Sequence, residues 1–170
     1  MPTARFGSFN DNALMNMLIR RSLPEEAELL SRIAHDAKKY WGYPENWIER
    51  WSADLTIAPD FVRDNQVYVA ERDQQICGFY ALCINGERAE LEHMWVAPAY
   101  IGSGVGKELF LDAMDRSTAM NVRRIDITAD PNAAGFYERM GATRTGDIVS
   151  EMDGQPRILP RMSIEPPNNE

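Results

Sequence analysis

The chain has 170 residues and a formal net charge of −8 at neutral pH. This length fits one domain better than two. Acidic residues outnumber basic ones in both halves and only three lysines occur, which argues against a nucleic-acid partner because phosphate binding needs clustered cations. The sequence has no apolar run long enough to cross a bilayer and begins with a polar stretch, so we expect a cytoplasmic protein without a membrane partner.

The first third of the chain is predicted to contain one strand and two helices. Residues 1–14 show no clear pattern and are set apart as an N-terminal segment, and the strand covers residues 15–21. Pro24 and an acidic first turn then start a helix. Its predicted buried face consists of apolar residues that recur every three or four positions: Ala27, Leu30, Ile33, Ala34, Ala37 and Trp41. A second helix is expected around residues 47–55.

Three strands are predicted next, at residues 67–71, 76–84 and 87–97. A turn at residues 72–74 separates the first two strands. Asn85-Gly86 between the last two predicts a two-residue hairpin of type I′.

Neither the cysteines nor the histidines predict a metal site. Cys77 and Cys83 share one predicted strand and would lie about 20 Å apart in it, so they cannot form a disulfide with each other. The chain lacks the Cys–His spacing typical of metal sites, and both histidines stand alone.

A glycine-rich segment, Ile101-Gly-Ser-Gly-Val-Gly106, lies between the third of these strands and a helix predicted at residues 104–120. The apolar stripe of that helix consists of Leu109, Phe110, Ala113, Met114 and Ser117. A strand at residues 123–129 follows. Strand, helix and strand form a βαβ unit, whose two strands should run parallel.

The last part of the chain is predicted to add a short helix and a hairpin. Asp130-Pro131 supplies an N-cap and a proline at the first helical position, and Gly141 ends the helix. Strands at residues 143–151 and 156–164 flank an Asp153-Gly154 turn.

These elements predict a single domain of α/β (α+β) class over residues 15–164. The polar, Pro-rich tail at residues 165–170 is expected to fray.

A strand that runs through a glycine-rich turn into a helix is typical of phosphate-binding sites. The first N–H groups of the helix lack intrahelical partners, and the helix dipole adds positive potential there. A Walker A motif does not fit, because Gly106-Lys107 is followed by Glu108 and Ile101 stands where the earlier glycine belongs. The dinucleotide fingerprint fails because its last glycine would fall on Lys107. A tight turn without a ligand is the alternative interpretation.

Two segments together resemble the GNAT superfamily of acetyl-CoA-dependent N-acetyltransferases. Leu91-Glu-His-Met-Trp-Val-Ala-Pro98 with Tyr100-Ile-Gly-Ser-Gly-Val-Gly-Lys107 is similar to its pyrophosphate loop, R/Q-x-x-G-x-G/A. Asp130-Pro-Asn-Ala-Ala-Gly-Phe-Tyr-Glu-Arg-Met-Gly141 resembles its N-x-x-A-x-x-F/Y-Y-x-x-x-G-F segment. The resemblance covers residues 15–164. It implies a mixed, mostly antiparallel twisted sheet flanked by helices, with one parallel βαβ unit, and acetyl-CoA as co-substrate.

The resemblance also implies which residues bind the cofactor. They are Met94, Trp95, Val96, Gly102, Ser103, Gly104, Val105, Gly106, Lys107, Asn132 and Phe136. The backbone N–H of Val96 matches the family's oxyanion donor. Asn132 matches a contact to the pantetheine arm, with a structural role in its turn as the alternative. Two positions depart from the pattern: Ile101 stands where the family has Arg or Gln, and Asp130 where it has Asn.

Transfer of an acetyl group to an amine also needs a proton acceptor and a proton donor. By resemblance, Tyr137 matches the family's tyrosine near the CoA sulfur and is implied as the acid. Phe136 is expected to take the core position beside it, leaving Tyr137 free for catalysis.

Glu92 is the candidate base, since its strand parity places it on the same face as Met94 and Val96. Some members of the family carry a catalytic glutamate at this spacing from the loop. Glu90 and His93 are competing candidates, and His93 should point to the opposite face, where a structural role is expected.

An aromatic segment, Tyr40-Trp-Gly-Tyr-Pro-Glu-Asn-Trp47 with Trp51, lies where the family builds its acceptor site. Aromatic faces attract cations, so this segment is a candidate site for an ammonium substrate. Packing of the helices onto the sheet is the alternative.

The sequence thus predicts an N-acetyltransferase that moves acetyl by direct attack of a primary amine, with a small molecule as acceptor. Acetylation of a protein amine and a catalytically weak acetyl-CoA-binding sensor or partner module are the alternatives. A homodimer is compatible with the sequence, which does not determine the oligomeric state.

Overall fold

The computed structural model of the chain describes residues 16–168. The strands are β1 Met17–Arg21, β2 Gln66–Arg72, β3 Gln75–Asn85, β4 Arg88–Val96, β5 Arg124–Thr128, β6 Thr143–Met152 and β7 Gln155–Ile164. The α-helices are α1 Ala27–Tyr40, α2 Glu45–Arg50, α3 Ser52–Leu55, α4 Pro59–Asp64, α5 Val105–Ala119 and α6 Ala134–Arg139. The predicted N-terminal segment 1–14 lies outside the described residues, as do Met15 and residues 169–170.

The seven strands form one sheet in the order β1-β2-β3-β4-β5-β7-β6. Every neighbouring pair is antiparallel except β4 and β5, which are parallel and connected through α5. The predicted mixed sheet with one parallel βαβ unit is confirmed.

Helices cover both faces of the sheet, so its central strands are apolar on both sides. Along β3, Tyr80 and Leu82 pack into a core cluster with α5, whereas Phe79 and Ala81 pack into a second cluster with α1–α4. This alternation follows from the two-residue period of a strand. Strand β3 pairs with β2 on one side and with β4 on the other. Its position therefore sets the position of β4 and of the segment that follows β4.

The predicted apolar faces of the two long helices are confirmed with one exception. All five stripe residues of α5 are buried, and so are those of α1 up to Ala37. Trp41 is 42% exposed and follows the end of α1 as its C-cap, so its assignment to the buried face was wrong. The sequence reading also missed α4, which begins at Pro59 and buries Val62.

The hairpin between β3 and β4 differs from the predicted type I′ turn. Asn85 stays in β3, paired with Arg88, and the loop consists of Gly86 and Glu87. Only Gly86 has a positive φ, +62°, which is the pattern of a type II′ turn. The Glu87 carbonyl accepts the N–H of Arg123 at 2.7 Å, so a contact with the chain entering β5 holds the loop in this register.

The helix predicted to start at Pro131 begins three residues later, at Ala134. Residues 131–133 form a turn, in which the Asp130 carboxylate accepts the N–H of Asn132 at 2.9 Å. The helix ends at Arg139 with Met140 as its C-cap, and Gly141 follows in the predicted C′ position with a φ of +99°. The N–H of Ala142 bonds back to the Tyr137 carbonyl.

The start of the polar tail packs against the domain rather than fraying. Pro166 is buried, and the Thr118 hydroxyl donates to the Pro167 carbonyl at 2.7 Å. Within residues 16–168, no helix has the length and apolar character needed to cross a membrane.

Candidate active site

The parallel strands β4 and β5 separate towards their carboxyl ends. Their pairing runs from Arg88–Arg124 to Glu90–Asp126 and stops there, while β4 continues along β3. A cavity of about 510 Å³ occupies this separation. Its walls are Leu91, Glu92, Met94, Trp95 and Val96 of β4, Ile127 and Thr128 of β5, and residues of the glycine-rich loop, of α1 and of the 130–139 segment.

The backbone N–H of Val96 points into this separation. The Ala97 N–H donates to the Cys77 carbonyl at the edge of β3, at 2.8 Å. Successive N–H groups of a strand alternate between its two edges. The Val96 N–H is therefore directed away from β3, towards the space that β5 leaves open, where it is available to a ligand.

The glycine-rich loop presents a row of free N–H groups to the same cavity. Gly104 is the N-cap of α5 and has a φ of +91°, which glycine adopts without strain. The first intrahelical bond joins the N–H of Glu108 to the Gly104 carbonyl at 3.1 Å. Among the described residues, nothing accepts the N–H groups from Gly104 to Lys107, so this turn offers four donors to an anion.

Gly106 lies where the loop, β4 and α6 meet. A Cβ added there would lie 3.6 Å from Val96 Cγ2 and 3.7 Å from Phe136 Cε2, both ordinary contact distances. Packing therefore does not require glycine at this position. A larger side chain would instead fill the cavity, so the glycine preserves room for a ligand.

Two cations stand at the loop side of the cavity. Lys107 and Arg139 both line it, both are exposed, and neither forms an ion pair with another of residues 16–168. The sequence reading identified Lys107 and missed Arg139, although Arg139 belongs to the second motif segment. Ile101 also lines the cavity, so an apolar side chain takes the place where an Arg or Gln was expected.

The burial of Tyr137 and Phe136 differs from what the sequence suggested. Tyr137 is buried, 7% exposed, in the α5 core cluster, whereas Phe136 is partly exposed and packs against that cluster. The expectation that Phe136 takes the core position and leaves Tyr137 free of it was wrong, because the Tyr137 ring packs in the cluster beside Phe110, with 6.1 Å between the ring centroids. Both still line the cavity. Burial, with a smaller contribution from Asp130, raises the pKa of Tyr137, so its hydroxyl keeps its proton at neutral pH.

Glu92 lines the cavity, but not for the reason that strand parity suggested. The pairing of β3 with β4 shifts between Ala81 and Leu82, opposite Glu92. This bulge interrupts the alternation, so that Leu91 and Met94 both reach the α5 cluster. The carboxylate is partly desolvated and lies near Glu90, and both effects raise its pKa. A raised pKa makes a carboxylate a better proton acceptor.

His93 has a structural environment. Its ring lies between Phe61 and Phe79, with centroid distances of 5.7 and 6.2 Å. Trp95 Nε1 donates to His93 Nδ1 at 3.2 Å. Burial lowers the pKa of His93 to about 4, so the imidazole is neutral at pH 7 and faces away from Met94.

The cavity includes all but two of the predicted site residues. Ser103 is exposed outside it, where its hydroxyl donates to the Tyr100 carbonyl. The side chain of Val105 belongs to the core. The Ser103 N–H donates to the Tyr100 carbonyl at 3.2 Å, whereas the Val105 N–H is one of the four free donors. Cofactor binding by each of the predicted residues stays a prediction.

The sequence family model described as "Acetyltransferase (GNAT) family" matches residues 28–142. The chain belongs to the GNAT acetyltransferase family. The matched residues make up most of the chain. They include strand β4, the glycine-rich loop and the two candidate catalytic residues, Glu92 and Tyr137. The family uses acetyl-CoA as its acyl donor, which agrees with the predicted co-substrate.

Solved structures of GNAT proteins share the fold. A GCN5-related N-acetyltransferase from Rhodopseudomonas palustris is 19% identical, with 87% of this chain and 94% of that chain covered and a TM-score of 0.73. The PaiA N-acetyltransferase from Thermoplasma acidophilum, solved with coenzyme A, is 24% identical over 88% and 98%, with a TM-score of 0.68. Spermidine N-acetyltransferase from Vibrio cholerae, solved with CoA and spermine, is 21% identical over 89% and 96%, with a TM-score of 0.65. No curated protein sequence matches this chain.

This GNAT protein carries a buried ion cluster at Asp130, where the family pattern has Asn. The Asp130 carboxylate is paired with the Lys38 ammonium of α1 and with Arg157 of β7, the latter at 3.0 Å. Tyr43 donates its hydroxyl proton to Asp130 at 3.0 Å and lies 3.0 Å from both Arg157 Nη2 and Asn132 Nδ2. Asn132 is therefore engaged in its own turn, which supports the structural alternative for this residue.

The electrostatics of this GNAT ion cluster favour the ionised form of Asp130. Burial alone would raise the pKa of Asp130, but the Lys38 ammonium outweighs it and holds the pKa below its usual value. Burial lowers the pKa of Lys38, an effect that Asp130 opposes. The sequence reading missed this cluster because Lys38 and Asp130 are 92 residues apart.

The aromatic segment of this GNAT protein binds the protein's own cations. Lys38 Nζ lies 4.5 Å from the Trp51 ring centroid and 4.8 Å from that of Tyr43. The Arg157 guanidinium lies 4.6 and 5.1 Å from the same two rings. Cation–π contacts therefore do occur here, but within the fold, which supports the packing interpretation.

Helix α2 is attached to the tip of the β6–β7 hairpin of this GNAT fold. Trp47 Nε1 donates to Asp153 at 2.6 Å, and Arg50 forms an ion pair with the same carboxylate at 2.7 Å. The side chains of Arg50 and Asp153 are both exposed, so their ion pair contributes little to stability. It fixes the position of the hairpin that carries Arg157.

Proposed function

We propose that this protein is an acetyl-CoA-dependent N-acetyltransferase that transfers acetyl to the primary amine of a small molecule by direct attack. The observation that carries the proposal is the separation of β4 from β5. It brings the Val96 N–H, the free N–H groups at the start of α5, Tyr137 and Glu92 to one cavity.

The residues at the loop side fit coenzyme A. Its diphosphate would be held by the N–H groups from Gly104 to Lys107, with Lys107 and Arg139 as counter-charges. Gly106 leaves room at the point where a side chain would obstruct the ligand. Bound acetyl-CoA supplies an activated acetyl group.

The other residues have roles that their environments support. The Val96 N–H donates to the acyl oxygen as negative charge develops on it. Glu92, with its raised pKa, accepts a proton from the ammonium so that the neutral amine can attack. Tyr137, which stays protonated, donates its proton to the departing sulfur. The amine nitrogen loses a second proton when the tetrahedral intermediate collapses, and this proton restores the Tyr137 hydroxyl, so that one proton in total is released to solvent through Glu92.

A small-molecule acceptor agrees with the architecture of the cavity. Helix α2 and the β6–β7 hairpin are joined at Asp153. The spermidine N-acetyltransferase with a similar fold binds spermine, which supports a small amine as the type of substrate. A protein amine would need an open groove between these two elements.

Thiol release from acetyl-CoA in the presence of a panel of amines tests the proposal. We expect turnover with at least one class of amine, and a fall in kcat of about 100-fold in Tyr137→Phe with an unchanged Kd for CoA. Tyr68→Phe, on β2 outside the cavity, is the matched control. Tight CoA binding without turnover of any amine would instead indicate the sensor module, and absence of CoA binding would refute both.

A further inference from the structure

The ion cluster at Asp130 carries an uncompensated positive charge. Two cations, Lys38 and Arg157, share one carboxylate, and within residues 16–168 neither has another acidic partner. The side chains of Lys38, Arg157 and Asp130 are only 9%, 13% and 12% exposed. A poorly hydrated net charge attracts an anion much more strongly than a surface charge does.

Both cations retain unused hydrogen-bond donors. Arg157 uses Nη2 for Asp130 and Tyr43, and among the described residues nothing accepts from its Nη1 or Nε. The Lys38 ammonium has three donors and uses one of them, for Asp130. The cluster therefore has unused charged N–H groups for one further carboxylate, and a hydrogen bond between ions is stronger than a neutral one.

The cluster adjoins the cavity through Asp130, while Lys38 and Arg157 lie behind that carboxylate and outside the cavity wall. Asp130 and Asn132 line the cavity wall together with Tyr137, and the Asp130 charge is close enough to affect the Tyr137 hydroxyl. An anionic group on an acceptor that extends past Asp130 would meet Lys38 and Arg157 while its amine lies at the thioester.

A purely cationic acceptor does not fit this side of the cavity. The faces of Tyr43 and Trp51 are occupied by Lys38 and Arg157, so they are not available to a substrate ammonium. A second cationic group of a polyamine would be repelled by the same cluster.

Of the two acidic residues that line the cavity, Asp130 is paired within the cluster and Glu92 is not, so the cavity allows one cationic group. The carboxylate of Glu90 is bonded by both terminal nitrogens of Arg161. Glu92 has no hydrogen-bond partner among the described residues and remains for the amine. The complementary ligand is therefore an ammonium and a carboxylate in one molecule.

We propose that the acceptor is an amino carboxylic acid, whose carboxylate binds Arg157 and Lys38 while its amine faces Glu92. This assignment names the substrate class of the proposed N-acetyltransferase and rests on that function. It makes Arg157 a residue that determines specificity, acting through charge and through its unused N–H groups.

The test compares amino acids with their own carboxamides, which share every other feature. The panel includes α-amino acids and ω-amino acids of increasing chain length, together with diamines. We expect kcat/KM to be at least about tenfold higher for the acid of each accepted pair, the effect of one charge-assisted hydrogen bond. Arg157→Gln should remove this preference, whereas Arg157→Lys should retain part of it. Arg144→Gln, on the exposed part of the same hairpin, is the control.

A second measurement needs no turnover. Titration calorimetry should show that N-acetyl amino acids bind the complex of protein and CoA at least about tenfold more tightly than N-acetyl amino amides, and that Arg157→Gln removes the difference. Equal kcat/KM within all pairs, or a preference for diamines, overturns the amino-acid assignment and leaves the acetyltransferase proposal standing. Absence of thiol release with every acceptor overturns the proposed function, and the calorimetric comparison then still decides whether the cluster binds a carboxylate.

Discussion

Replacement of Asp130 by Asn tests the buried ion cluster directly. Asn is the residue that the family pattern has at this position, and it is nearly the same size as Asp. The variant therefore changes charge rather than packing. In Asp130→Asn, Lys38 and Arg157 remain buried without a counter-ion, and they repel each other.

The expected loss of stability follows from the geometry. At 3.0 Å, the distance from Arg157 to Asp130, an effective dielectric constant of 20 gives an attraction of about 5 kcal/mol for each cation. Much of this is offset because the variant no longer desolvates a carboxylate. We expect a net loss of about 3 kcal/mol in the free energy of unfolding, typical of a broken buried ion pair, and a fall in Tm of about 10 °C for a chain of this size.

A double-mutant cycle with Lys38→Met isolates the effect of the charge. Lys38→Met alone leaves Asp130 paired with Arg157 and should cost about 1 kcal/mol or less. The double variant restores the wild-type net charge of the cluster, so we expect it to recover about 2 kcal/mol relative to Asp130→Asn.

Urea unfolding at pH 7, followed by tryptophan fluorescence and circular dichroism, measures all four proteins. A loss below about 1 kcal/mol in Asp130→Asn, or additive effects of the two substitutions, would refute the assignment of a poorly hydrated, coupled ion cluster. Either result would also weaken the case for carboxylate binding at Arg157.

Three further predictions concern the cavity and its surroundings. Gly106→Leu should raise the Kd for CoA at least about tenfold, as expected when a side chain displaces a ligand, without loss of helix by circular dichroism. The control is Gly146→Leu, because Gly146 on β6 is surrounded by open space. Equal Kd values in the two variants would refute this role of Gly106. Glu92→Gln should lower kcat about 100-fold and abolish the acid limb of the kcat/KM profile, since the raised pKa of Glu92 means that the wild-type base is lost as the pH falls; an acid limb that persists in the variant would exclude Glu92 as the base. Burial lowers the pKa of His93 from 6.5 to about 4. As the pH falls, His93 therefore binds a proton in the unfolded chain at a higher pH than in the folded one. Its contribution to stability is present above pH 6.5 and is lost as the pH falls towards 4. His93→Gln should therefore reduce the loss of unfolding free energy between pH 7 and pH 5 by about 1 to 2 kcal/mol, and identical pH dependence in urea titrations of the two proteins would contradict the lowered pKa.

Local patterns were sufficient for most elements of secondary structure. The stripe of α5, the end of α6 before Gly141 and the Asp153-Gly154 turn all follow from interactions between residues close in sequence. The hairpin at Gly86 was mispredicted because the Glu87 carbonyl bonds to the distant Arg123. Helix α6 starts three residues after Pro131, where the Asp130 carboxylate also pairs with Lys38, far away in sequence.

The bulge at Glu92 shows the same limit within the site. Strand parity has meaning only while pairing is regular, and the shift of register opposite Glu92 depends on how β3 and β4 pair along their whole length. Glu92 was a sound candidate, but its position in the cavity could not be derived from alternation alone.

The sequence by itself determined the cofactor side of this protein. A glycine-rich turn that leads into a helix leaves its N–H groups unpaired wherever it occurs, because that geometry is local to the backbone. Only the tertiary structure decided the acceptor side. The three charged residues come from separate parts of the chain: Lys38 from α1, Asp130 from the segment after β5, and Arg157 from β7. Their charges act on one another only because the fold brings both cations to the Asp130 carboxylate, with Arg157 at 3.0 Å. The strength of an electrostatic interaction depends on the distance between the charges in space. The number of residues between them in the sequence does not determine that distance.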